Sequence, residues 1–150
     1  MENSDLFDDL IIRDYQEDDY PEIVNLWHLT GLGNPERGDN SDTIRRTLEL
    51  GGKFLVIAAK HQKLIYGTSW MTYDGRRIML HHFGIIPEFQ GKGLANILLR
   101  ESLQYVKNKG CQVKLEVHSN NLKAINLYRK QGFAYLDGYK VYIIRDVSNL

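Results

Sequence analysis

The chain has little that would fix its chemistry covalently. One of its 150 residues is cysteine, Cys111, so no intramolecular disulfide can form. Just ahead of a strand-like run, Cys111 reads as a buried free thiol. Neither sign of charge is in excess: Lys plus Arg and Asp plus Glu number 19 each, for a formal net charge of zero. That argues against a generic nucleic-acid or anionic-membrane surface. No apolar run approaches the roughly 20 residues that span a bilayer. The start, "MENSDLFDDL", lacks the basic residues and apolar stretch of a secretory signal. A cytoplasmic, reducing location is the expectation. No His, Cys and carboxylate set has zinc-ligand spacing, so no metal is expected.

What remains is an ordinary globular composition, 43% hydrophobic and 25% charged, without repeats, low-complexity tracts or linkers. The length suits one domain over residues 1–150, with 1–9 as a flexible N-terminus. "LIIRDY" reads as a first strand. A helix follows over "EDDYPEIVNLWHLTG", where Asp19 and Glu22 have capping-box spacing. A second helix runs from about Asp42 to Leu50. Three strands come next, "KFLVIAA", "LIYGTSWMTY" and "RIMLHHFGII", the last two joined at the hairpin signal Asp74-Gly75. A helix from Leu94, an alternating "QVKLEVH", a helix from about Asn121 to Gln131 and a closing strand "YKVYIIRD" complete the chain. The fold class is α/β, with a mixed, mostly antiparallel central sheet flanked by helices.

Where the third of those strands meets the next helix stands "QGKGLA", residues 90–95. Successive backbone N–H groups leading into a helix N-terminus bind anions without any charged side chain. Gly91 and Gly93 would let a phosphate come close, and Lys92 would add a cation or stay solvated. The spacing matches neither the Walker pattern nor the dinucleotide fingerprint, which disfavours a nucleotide-binding domain.

Gln90-Gly91-Lys92-Gly93-Leu94-Ala95 resembles the Q/R-x-x-G-x-G/A motif of the GNAT superfamily of acetyl-CoA-dependent N-acetyltransferases. "NLKAINLYRKQGF", Asn121 to Phe133, resembles that family's second signature, and the order of elements matches from about residue 10 to 146. The resemblance implies the GNAT acyltransferase fold, acetyl-CoA as acyl donor, and a small-molecule amine or peptide as acceptor. A homodimer is compatible with it. It implies further that the backbone of Phe83, Gly84 and Ile85 pairs with the pantetheine amides. The N–H groups of residues 90–95 would hold the pyrophosphate, Asn121 would face the pantetheine arm, and Tyr128 the thioester sulfur. As purely structural residues, Asn121 would be a helix N-cap and Tyr128 a core aromatic.

Acetyl transfer to an amine needs a deprotonated amine and a proton for the departing thiolate. Tyr128 suits the second task as general acid. For the first, Glu116 resembles the catalytic glutamate of ribosomal-protein-alanine acetyltransferases, against a reading as a solvated strand carboxylate. His81 competes: by alternation it shares a face with Met79, Phe83 and Ile85, while His82 faces the other way. Some family members carry a glutamate base near position 79, where this chain has Met79. Arg37, Asp39 and Asp137 are candidates for the acceptor's charges, and Tyr139 or Trp70 for a wall of its pocket. The rival reading is a CoA-binding sensor or interaction module without turnover.

Overall fold

Every residue of the stretch Phe54 to Ala58 is buried, and period-2 alternation sends these side chains to opposite faces of one sheet. Phe54, Val56 and Ala58 enter one apolar cluster, Leu55 and Ile57 another. In the computed structural model, which describes residues 7–150, the sheet has five strands: β1 (Leu10–Asp14), β2 (Lys53–Ala59), β3 (Ile65–Tyr73), β4 (Ile78–Ile85) and β5 (Val113–Leu115). They lie in chain order. β1 to β4 pair antiparallel, and β5 joins β4 in parallel.

Among the described residues, the two faces are covered by α1 (Tyr20–Thr30), α2 (Ser41–Glu49), α3 (Leu94–Lys109) and α4 (Leu122–Lys130). Ile23, Leu26 and Trp27 of α1 and Ile44 of α2 close the first face. Leu94, Leu98 and Leu99 of α3 and Tyr128 of α4 close the second. The expected mixed, mostly antiparallel α/β architecture is therefore the observed one. No described helix is long and apolar enough to cross a membrane.

Local chemistry accounts for the boundaries. Asn40 caps α2 by accepting the Thr43 N–H at 2.9 Å. In the β3–β4 hairpin Asp74 Oδ1 accepts the N–H groups of Arg76 and Arg77, at 2.8 and 2.7 Å. The Asp19–Glu22 capping box does not form, because the Asp19 carboxylate is used one turn earlier. It accepts the Gln16 N–H at 2.8 Å and is gripped bidentately by Arg13 at 2.7 and 2.8 Å.

Three other expectations meet a different outcome. Of the N-terminal stretch 1–9, residues 1–6 lie outside the described residues, whereas Phe7 packs against the second cluster and Lys60 N–H donates to Asp9 O at 2.9 Å. Cys111 is half-buried rather than buried. The closing strand "YKVYIIRD" does not form: residues 139–146 have no strand structure and are exposed. No described sheet edge is paired with them.

Candidate active site

β4 outruns its neighbour. Its pairing with β5 ends at Leu80↔Leu115, yet β4 continues to Ile85, so beyond Leu80 one edge of β4 has no strand beside it. Ile86 N–H donates to Tyr66 O of β3 at 2.8 Å. By alternation Gly84 also turns its polar backbone to β3, while Phe83 and Ile85 turn theirs to the open edge. The Gln90 side-chain amide donates to Ile85 O at 2.9 Å, tying the strand end to the glycine junction. Gly84 serves differently from its neighbours. A Cβ there would lie 2.6 Å from Leu32 Cδ1, so glycine lets the Leu32 side chain, from the loop after α1, lie directly on β4.

The alternation in β4 breaks at the two histidines. The register passes from Trp70↔His81 to Thr68↔Gly84, so His82 and Phe83 together oppose Ser69. This is a β-bulge, and His82 carries a φ of +45°, the only positive value at a described non-glycine residue. One extra residue reverses every later side chain. Phe83 and Ile85 thus join Ile78 and Leu80 on the α3–α4 face. His81 and His82 both turn to Trp70, with ring centroids 5.9 and 5.5 Å from it. The expectation that His81 shares a face with Phe83 and Ile85, opposite His82, is overturned by this bulge.

The two imidazoles have different surroundings. His81 Nε2 lies 2.9 Å from Thr72 Oγ1. Its pKa is pushed down to about 4, by burial first and then by the adjacent His82, so it is neutral at neutral pH. His82 lies at a cavity of about 430 Å³ formed with the loop after α1, including Leu32, Asn34, Arg37 and Asp39. His82 Nε2 is 3.0 Å from Asp39 Oδ1, an ion-pair distance whose alignment falls short of a hydrogen bond and leaves this sealed atom unsatisfied. Nδ1 is neither hydrogen-bonded to a described residue nor sealed from solvent. Asp39 is itself held, its Oδ2 accepting the Asn34 N–H at 2.7 Å. The bulge is held too: Thr68 Oγ1 donates to His82 O at 2.7 Å and accepts from Trp27 Nε1 at 3.1 Å.

Nothing local to residues 80–83 signals Asp39 as a partner in the sequence. Arg37 lines the same cavity and is exposed. Trp70 is buried, its Nε1 donating to Thr47 Oγ1 at 2.9 Å, and Asp137 and Tyr139 stand exposed in the C-terminal segment. Glu116, one residue beyond β5, is exposed and makes no ion pair or hydrogen bond with a described residue.

The open edge leads to the expected aromatic and to the glycine junction. Tyr128 is 8% exposed, its ring edge-on to Phe83 at 6.0 Å and to Phe133 at 5.6 Å. Its hydroxyl has no protein partner and is not among the sealed polar atoms. Burial pushes its pKa up to about 12. Asn121 caps α4, its Oδ1 accepting the Ala124 N–H at 3.3 Å, which leaves its amide NH2 free. At the junction Gly91 and Gly93 have φ of +75° and +86°, with open space where a Cβ would stand. Gly93 is the N-cap of α3 and offers no side-chain cap; the first turn holds no acid. The N–H groups from Gly91 to Asn96 donate to no described protein acceptor, an array suited to a phosphate. Lys92 Nζ stands 5.4 Å from the Phe89 ring.

The sequence profile of the Acetyltransferase (GNAT) family matches residues 11–133. This chain belongs to that family. Its structural neighbours agree on the fold. An acetyltransferase from Streptococcus agalactiae superposes with a TM-score of 0.76 at 18% identity, over 91% of this chain and 92% of the other. The aminoglycoside N-acetyltransferase AAC(6')-Iy, solved with CoA, gives 0.71 at 17% identity, over 91% and 95%. The ribosomal-protein-S18-alanine N-acetyltransferase from Escherichia coli gives 0.68 at 17%, over 82% and 76%. Acetyl transfer is the chemistry of that family.

Proposed function

We propose that this acetyltransferase moves the acetyl group of acetyl-CoA onto a primary amine held in the cavity between the post-α1 loop and β4. The observation that carries the reading is the unpaired edge of β4 running between two prepared ends: the free N–H array of Gly91–Asn96 and the Tyr128 hydroxyl. Acetyl-CoA supplies a thioester whose acyl carbon accepts the amine. Phe83 and Ile85 would bond the pantetheine arm as an added strand would, with Gly84 keeping the loop close and the Asn121 amide facing the arm. The N–H groups through Leu94 and Ala95 would hold the pyrophosphate, with Gln90 bracing the strand end and Lys92 adding positive charge.

Of the chain's own groups, Tyr128 is the proton donor to the departing sulfur, since its phenol stays protonated across the working range. His82 is the favoured base. Asp39 at Nε2 favours the tautomer with its proton there, which leaves the Nδ1 lone pair to take a proton from the amine. His81, neutral and bonded to Thr72, suits support of the bulge better than proton transfer. Glu116 remains a base only if a bound acceptor reaches the β5 end.

Primary amine substrates of several kinds – amino acids, polyamines, aminoglycosides and short peptides – offered with acetyl-CoA test the reading. Thiol release that requires one of these amines, with acetylated product, supports it. Acetyl-CoA binding without transfer to any of them favours the rival reading of a CoA-binding module.

A further inference from the structure

The stretch "NPERGD", residues 34–39, folds on itself around its first residue. Asn34 O accepts the N–H groups of Arg37 and Asp39, at 3.0 and 3.3 Å. Asn34 Oδ1 accepts the Glu36 N–H at 2.9 Å, which caps the short 3₁₀ turn Pro35–Arg37. Tyr20 Oη anchors the far end by donating to Asp39 O at 3.1 Å. The loop is thus built before any ligand arrives, and it brings Arg37 and Asp39 to the cavity beside His82.

The two charged groups are unequal there. Asp39 is committed: Oδ1 lies 3.0 Å from His82 Nε2, and Oδ2 accepts the Asn34 N–H at 2.7 Å. Arg37 is not. Its side chain makes no ion pair or hydrogen bond with a described residue, whereas Arg13 is paired with Asp19 and Arg45 with Asp42. An amine brought to His82 therefore leaves the rest of its molecule in a cavity whose uncommitted charge, among the described residues, is a single guanidinium.

That charge discriminates. A guanidinium repels a second ammonium, as in a polyamine, and pairs bidentately with one carboxylate. A doubly charged phosphate would leave an unmatched negative charge near Asp39. The volume, about 430 Å³, is at the small end of the roughly 300–1,000 Å³ of small-molecule sites. The N-terminus of a long polypeptide brings no main-chain carboxylate into such a space.

We propose that Arg37 selects the acceptor, which is a small amino acid whose carboxylate pairs with this guanidinium while its amine meets His82. The inference rests on the reading of this cavity as the acceptor site.

The common amino acids, each offered with acetyl-CoA as free acid, as α-carboxamide and as decarboxylated amine, test it beside polyamines, aminoglycosides and short peptides. At least one free acid should have a kcat/KM more than about tenfold above those of its own amide and amine. Arg37→Gln should bring the ratio of acid to amide close to one, and Arg37→Glu should invert it. Arg37→Lys, which keeps the charge and loses the fork, should retain part of the preference. The side chain is exposed and holds no described residue, so melting temperatures should stay near that of the native chain. Equal rates for acid and amide in the native protein overturn the proposal. So does an acid preference that survives Arg37→Gln and Arg37→Glu, or transfer confined to polyamines, aminoglycosides or peptides. In each of these cases acetyl transfer itself still stands. Transfer to no amine at all overturns both readings together.

Discussion

Replacing Tyr128 with phenylalanine separates the chemical role of its hydroxyl from the packing role of its ring. The ring is edge-on to Phe83 and Phe133, contacts that phenylalanine keeps. The hydroxyl has no protein hydrogen bond to lose, so stability should change by less than about 0.5 kcal/mol. Loss of a positioned general acid lowers turnover by roughly 10²–10⁴-fold, which is about 3–5 kcal/mol of barrier. Acetyl-CoA affinity should stay nearly constant, since the hydroxyl acts only as the sulfur departs. The pH dependence follows from burial. An ordinary phenol ionises near about pH 10, whereas Tyr128 holds its proton to about 12, so this group should cause no loss of turnover through pH 10. The assay is thiol release at saturating acetyl-CoA with the identified acceptor, beside calorimetric cofactor titration. Wild-type turnover in Tyr128→Phe refutes the general-acid role.

Five other substitutions probe the rest of the site. His82→Gln should depress kcat/KM most near neutral pH and recover as solvent deprotonates an amine of pKa about 10.4, with Asp39→Asn changing it in the same direction. His81→Gln and Glu116→Gln should leave that profile unmoved, and a shift in either would transfer the role of base to that residue. Gly84→Ala places a Cβ 2.6 Å from Leu32 Cδ1, so the Leu32 side chain that lines the cavity must shift and the acceptor KM should rise severalfold, and an unchanged KM argues that the cavity is not the acceptor site. His81 also makes stability depend on acid. The folded chain holds its pKa at about 4, against about 6.5 when unfolded, so the unfolded state binds the proton first. Stability is lost as pH falls from about 6.5 to 4, by up to about 3 kcal/mol from this group. Denaturant unfolding at pH 7 and 4.5 should show a smaller acid loss in His81→Gln than in the native chain.

Much of this was legible in residue order. The strands β1 to β4, the helices α1 to α4 and the Asp74-Gly75 hairpin follow from apolar periodicity and turn chemistry. The glycine junction was legible too, because what it offers is backbone N–H groups and the lack of side chains at Gly91 and Gly93. The bulge was not. Strict alternation assumes an unbroken ladder, and the pairing that strands His82 and Phe83 opposite Ser69 is a property of two strands together. The same reason hid Asp39, which reaches His82 across 43 positions of sequence only once Leu32 rests on Gly84. The closing strand was read from a pattern that is real, but a strand exists only against an edge, and the chain's own sheet does not pair with this segment.

Calorimetric titration of acetyl-CoA into the native chain and Gly93→Asp bears most directly on the central claim, that the open β4 edge and the α3 N-terminus hold the acyl donor. Gly93 has open space around it, but its φ of +86° strains any side chain, so the variant should remain folded with a melting temperature lowered by roughly several degrees. Its carboxylate would face the pyrophosphate among the free N–H groups. The account predicts binding to the native chain and a loss of more than tenfold, about 1.4 kcal/mol, in the variant. Equal affinity in the two folded proteins, or no binding to the native chain, would contradict it.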